Sequence, residues 1–166
     1  MEDEEVHSLY VHPKVAALVS LAHGEGFGLP IFESAYSGLP VVCTGWSGQL
    51  DFLVDEAGKE HFYNVAFDLQ PVPDEVVWDG VLIKESMWAY PREQSAKQKM
   101  RRCYEDIKEN NEDSHALQAC KFADQVQERF NPEKQYEQMV GAVLEFVESA
   151  DEKEWRGILD QVVEYE

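Results

Sequence analysis

Two carboxylates, Glu25 and Glu33, stand eight positions apart in HGEGFGLPIFESAYSGLPVV, residues 23–42, among glycines at 24, 26, 28 and 38 and prolines at 30 and 40. A strand that runs into a glycine loop and then into a helix N-terminus presents unpaired backbone N–H groups, and the helix dipole there favours negative charge. Gly26 and Gly28 allow a ligand to approach the backbone closely, while Phe27 between them packs into the fold. Carboxylates accept hydrogen bonds from paired hydroxyls, so Glu25 in the loop and Glu33 one turn into the helix would each hold a sugar or ribose diol. An anion cradle with a hydroxyl acceptor on either side describes a nucleotide-sugar site. The glycines do not follow the dinucleotide fingerprint, and no lysine with Ser/Thr marks a P-loop.

The flanking sequence supplies the elements that must position this loop. VAALVSLA, residues 15–22, is an unbroken apolar run ending at glycines, which predicts a central parallel strand buried on both faces. Residues 29–37 predict a helix, with Pro30 in its first turn, Gly38 closing it, and Ile31/Ala35 and Phe32/Tyr36 as i, i+4 pairs. LPVVC at 39–43 completes a strand, loop, helix, strand unit, expected to be right-handed with parallel strands. Upstream, residues 2–10 read as an acidic helix with Val6, Leu9 and Tyr10 on one face, stopped before Pro13. Residues 44–91 read as loops with edge strands near 62–69 and 80–84.

Beyond Pro91 the periodicity turns helical. Ala96, Met100, Cys103, Tyr104 and Ile107 form one stripe; Leu117, Cys120, Ala123, Val126 and Phe130 form a second; Tyr136, Met139, Val140, Val143, Leu144 and Val147 form a third. Asn131-Pro132 is expected to end one helix and cap the next. A last amphipathic segment, residues 149–166 with Trp155, Ile158, Leu159, Val162 and Val163, needs a surface to dock on. With no repeat or low-complexity linker, residues 1–166 are expected to form one domain.

Composition removes several classes. The chain has 166 residues with a formal net charge of −19, which argues against nucleic acid or an anionic membrane as the main partner. No apolar run approaches the roughly 20 residues of a membrane span, and the acidic N-terminus does not read as a signal peptide, so a cytoplasmic protein is expected. Three cysteines, Cys43, Cys103 and Cys120, lack metal-ligand spacing and read as buried free thiols.

The stretch E-G-F-G-L-P-x-x-E followed by G-L-P-V-V resembles the C-terminal, donor-binding domain of retaining GT-B glycosyltransferases of the family-4 type. TGWSGQLDFL at 44–53, MWAYPREQSAKQKMRRCYED at 87–106 and LYVHPKVAALVSLAHGEG before the motif extend the likeness over about residues 5–148. The resemblance implies an α/β fold, a Rossmann-like parallel sheet flanked by helices: the C-terminal half of a GT-B fold with a helix-rich C-terminus. It implies that Glu25 faces the donor sugar and is catalytic, and that Glu33 accepts the ribose hydroxyls. Gly26, Phe27, Gly28 and Leu29 would offer N–H groups to the sugar and diphosphate. It further implies transfer with retention from a nucleotide sugar, with no metal or other cofactor.

Such enzymes also have an N-terminal acceptor domain and an arginine and a lysine that clamp the diphosphate; neither is recognisable before Val15. The expectation is therefore a fragment or split half, weakly active or inactive alone, that works with an N-terminal domain or partner chain. The rival readings are a non-catalytic nucleotide-sugar-binding or split-partner module, and a glycoside hydrolase using Glu25 and Glu33 as acid and nucleophile. His23 reads as a loop histidine satisfied by backbone, Trp46 and Trp88 as packing residues, and Arg101 and Arg102 as local ion-pairing partners.

Overall fold

In the computed structural model, residues 3–149 are described. The chain divides into two compact units, residues 1–127 and 128–166. Within the first unit, β1 (Leu18–Ser20), β2 (Val41–Thr44) and β3 (Tyr63–Val65) form a three-stranded parallel sheet in the order β1-β2-β3. All four residues of β2 are buried, whereas β1 shows partial and full exposure. The run at 15–22 is thus an edge strand, not the central one: only three of its residues pair, and Val19 is 44% exposed. The Leu18 N–H bonds to the Pro40 carbonyl, so Val19, next in the parallel ladder, turns its own N–H and C=O toward the open edge. Apolar length predicted burial, but burial depends on neighbours, and the strand with one on each side is β2.

α1 (Asp3–Tyr10) stops before Pro13 as expected, although Leu9 faces outward. α2 (Leu29–Tyr36) carries Pro30 in its first turn, and Ser37 and Gly38, the latter at φ 77, close it. Ile31 and Ala35 are buried beneath it, while Phe32 and Tyr36 pair at 5.7 Å on its other side. A short α3 (Leu50–Leu53) follows β2 and buries Phe52 and Leu53.

The 62–69 run splits in two. β3 joins the parallel sheet, and β4 (Phe67–Pro71) pairs antiparallel with β5 (Met87–Pro91) in a separate ribbon. The strand expected at 80–84 is absent. Gly80 is left-handed there, and Val81 and Ile83 stand exposed on a turn between the ribbon's strands. The partner of β4 is instead the Trp88 segment.

α4 (Glu93–Lys108) and α5 (His115–Arg129) complete the unit's helical layer. Of the first predicted stripe, Ala96 and Cys103 are buried, but Met100, Tyr104 and Ile107 are exposed. Of the second stripe, Ala123 and Val126 are buried and Leu117 packs against the core, but the inward face also takes Ala116, Ala119 and Phe122, while Cys120 is exposed and not a buried thiol. Burial pushes the Cys43 thiol up to about 12 and the Cys103 thiol up to about 11, with smaller contributions from nearby acids.

One polar cluster ties the sheet to this layer. The Tyr63 hydroxyl donates to Asp106 at 2.9 Å and accepts from the Ala116 N–H at 3.2 Å, joining β3, α4 and the start of α5. Asn111 Nδ2 and Arg102 Nε also donate to Asp106, confirming the local ion pair expected of Arg102. His61 stacks on Phe122 at 4.1 Å while paired with Asp55, a second tie between the loop before β3 and α5.

In the second unit, α6 (Pro132–Ser149) starts where Asn131 predicts: its side-chain oxygen accepts the Glu133 and Lys134 N–H groups. The segment containing Trp155 lies outside the described residues. Among the described residues no helix is long and apolar enough to cross a membrane.

Burial acts to raise the Asp106 pKa, but the hydrogen bonds from Asn111 and Tyr63 and the charge of Arg102 outweigh it and hold the carboxyl below its ordinary 3.8. A group depressed in the folded state contributes stability above its unfolded pKa and loses it as pH falls through the folded value. Asp106→Asn is therefore expected to lower the urea midpoint at pH 7. The gap to wild type should narrow as pH falls below about 4; a constant gap would sever the cluster from acid stability.

Candidate functional site

The glycine loop leaves the carboxyl end of β1 and is clamped on two sides. At its start, the Ala89 N–H donates to the His23 carbonyl at 2.9 Å, and His23 Nδ1 donates back to the Ala89 carbonyl at 2.8 Å. Trp88 stacks on the His23 ring at 5.0 Å, so this histidine is satisfied by backbone and tied to β5. Trp46 packs on Phe67 at 5.6 Å, again a packing role.

The second clamp is the turn after β2. The Ser47 hydroxyl donates to the Glu25 carbonyl at 2.7 Å and accepts from the Glu25 N–H at 3.3 Å. The Gly48 N–H also donates to the Glu25 carbonyl, at 3.0 Å. A Cβ placed on Gly48 would lie 1.9 Å from the Gly26 carbonyl oxygen, a contact no side chain can occupy. Ser47 holds a positive φ of 80° to make this turn, an uncommon backbone state for a residue with a side chain. The glutamate's backbone is thus bound at both polar groups.

At the start of α2, Gly28 occupies the N-cap at φ 85 and supplies no side chain to cap the helix. The Phe32 N–H takes the Gly28 carbonyl as partner, and Pro30 has no N–H, so Leu29 and Ile31 carry the first-turn donors. Phe27 packs against Phe32 and Phe52, each at 5.1 Å, but stays 38% exposed, so it covers this aromatic cluster and does not enter the core as its position between glycines predicts. Leu29 is exposed at the helix start. Gly26 differs from Gly28: it carries no left-handed φ, and a Cβ there would meet nothing within 4 Å; Gly24 likewise has an ordinary φ, and a Cβ on it would make only ordinary contacts, the nearest at 3.6 Å. The folded chain has no steric need for glycine at that position.

Glu33 lies on the side of α2 that faces α1. Its Oε2 accepts a 2.8 Å hydrogen bond from the Tyr10 hydroxyl. The two residues share a cavity of about 300 Å³ with Val6, His7, Phe32 and Tyr36. Burial and the Glu33 hydrogen bond push the Tyr10 phenol up to about 12, so it remains a donor at neutral pH. Glu25 and Glu33 therefore sit in different settings, one on the clamped loop and one beside an aromatic groove. Among the described residues no group of three or more His, Cys, Asp or Glu could hold a metal ion.

Sequence reasoning missed Tyr10, Ser47 and Gly48. Tyr10 was legible only as an apolar-face residue of a helix, because its partner lies 23 positions away. Ser47-Gly48 stands in a Ser-Gly turn signal, but the loop it clamps is 22 positions upstream, a pairing that periodicity cannot reveal.

No family model matches the chain, and comparison with curated proteins and with solved structures finds no match.

Gly48→Ala is expected to lower unfolding stability by about 1–3 kcal/mol through overpacking against the Gly26 carbonyl. Urea denaturation checks it. An unchanged midpoint would show that the turn does not press on the glycine loop.

Proposed function

We propose that this chain is the donor-binding portion of a retaining glycosyltransferase, a Rossmann-like C-terminal half of a GT-B fold that takes a nucleotide sugar. The observation that carries the reading is Gly26. Its neighbours leave room for a Cβ, so the glycine is not explained by packing; a ligand lying against the backbone at that point explains it. The diphosphate would rest at the start of α2, where the Leu29 and Ile31 N–H groups and the helix dipole favour anionic oxygens, without a metal. Glu25, its backbone held by Ser47 and Gly48, would face the donor sugar as the catalytic carboxylate. Glu33 would accept the ribose hydroxyls, with Tyr10 orienting its carboxylate through the bond to Oε2.

A second reading, a nucleotide-sugar-binding or split-partner module without turnover, is favoured by the β1 edge. That strand is apolar, half-exposed and turns unpaired backbone groups outward, as a strand awaiting another would. In this reading transfer requires an N-terminal glycosyltransferase domain or partner chain. The −19 charge makes nucleic acid a poor alternative partner, and a small anion would have to be held against it by the backbone dipoles at the start of α2.

Ligand-observed NMR with UDP, GDP and ADP, free and sugar-linked, tests the site. One nucleotide series is expected to bind, and Glu33→Ala and Gly26→Ala should each weaken it by about tenfold or more, roughly 1.4 kcal/mol. Gly26→Ala should leave the unfolding midpoint unchanged. Absence of binding to every nucleotide would reject the donor site in this chain. Binding without sugar transfer until an upstream domain is added would select the module.

A further inference from the structure

The start of α5 carries a histidine in a place that resists charge. Ser114 caps the helix: its hydroxyl accepts the Leu117 N–H at 3.2 Å and its carbonyl accepts the Gln118 N–H at 3.0 Å. His115 is therefore the first residue of the helix, at the positive end of the dipole, where a cation is disfavoured. Its ring stands at right angles to that of Tyr63, 5.2 Å away, and the Ala116 N–H, one residue on, donates to the Tyr63 hydroxyl. With Lys59, His61, Asp113, Gln118 and Phe122 it encloses a cavity of about 50 Å³, room for a few waters and not for the hydration shell of an imidazolium.

Titratable groups meet His115 from every neighbouring element. The loop before β3 brings Lys59, Glu60 and His61, the last paired with Asp55. α4 brings Lys99, and Asp113 lies just ahead of α5. β3 brings Tyr63, whose phenol is raised by burial and enters as a neutral group. Burial holds the His115 pKa below its ordinary 6.5; His61 adds to that effect, Glu60 opposes it, and Lys59 and Lys99 add to it again.

We propose that His115 is an acid-operated latch: neutral, it closes the start of α5 over the Tyr63 junction, and protonated it releases that start while the parallel sheet stays formed. The cation would form where burial, the helix dipole and the nearby basic groups oppose it, and leaving the cavity returns it to water. The opening is local, because His115 follows the turns at 109–114 and only the first turn of a helix has to loosen. The stack of His61 on Phe122, two turns further along, holds the rest of α5 in place. As pH falls below about 6.5 the open form takes up a proton that the closed form resists, so the latch weakens toward acid. The Asp106 cluster loses its contribution only below about pH 4, which keeps the two windows apart.

Hydrogen exchange on the full chain at about pH 7 and about pH 5, corrected for the intrinsic exchange rate at each pH, reads the latch. Protection of the Ala116, Leu117 and Gln118 amides is expected to fall several-fold at the lower pH, while β2 and α4 keep theirs. His115→Gln, which has no imidazole to protonate, should show no such loss. Two surface variants keep the test decisive should that one fail to fold: Lys59→Gln should shrink the loss, and Glu60→Gln should enlarge it. An equal loss in β2 would mean global unfolding and overturn the latch. Protection at 116–118 that ignores pH, or a loss that persists in His115→Gln or is unmoved by both surface variants, would overturn it as well.

Discussion

The contact between the turn after β2 and the loop after β1 is the constraint on which the site depends. Gly48 lies so close to the Gly26 carbonyl that neither segment can move toward the other, and the Ser47 and Gly48 donors hold the Glu25 carbonyl so that they cannot drift apart. The carboxyl ends of two adjacent parallel strands are thereby joined into one rigid rim. The loop's direction into α2 follows from that rim, as does the placement of the first-turn N–H groups. A flexible loop would have to be ordered by any ligand, at a cost of about 1–2 kcal/mol per residue in backbone entropy.

The rim in turn needs its strands held, and the sheet is small. Three short parallel strands offer few ladder bonds, so the layer behind them carries much of the burden. Tyr63 connects β3 to Asp106 on α4 and to the Ala116 N–H at the start of α5, and His61 stacks on Phe122. Such buried polar joints fix orientation in a way that apolar packing alone does not, because each donor has one acceptable partner. On the opposite side, the ribbon of β4 and β5 grips the start of the loop through Ala89 and His23.

Electrostatics follows the same division. The negative charge is spread over helices and termini, while the loop presents backbone donors and a helix start. A strongly acidic protein can receive an anionic ligand only where local dipoles outweigh the global field, which confines such a ligand to a place like the α2 N-terminus. Tyr10 adds a neutral donor to Glu33 across the groove between α1 and α2, orienting that carboxylate without introducing charge.

From the sequence alone, the strand, glycine loop, helix, strand order was legible, as were Pro30, the Gly38 stop, the parallel pairing and Asn131 as a cap. These are local matters of backbone conformation and side-chain spacing, and the residues that decide them are neighbours in the chain. Tertiary structure alone decided that β2 is central and β1 an edge, that the partner of β4 is 87–91 and not 80–84, and that Phe122 faces inward on α5 while Cys120 does not. It alone also brought Ser47 and Gly48 to Glu25, and Tyr10 to Glu33. The physical reason is common to all of these. Burial and close approach are properties of pairs of distant segments, and a one-dimensional pattern of apolar residues states that a surface will be covered without stating by what.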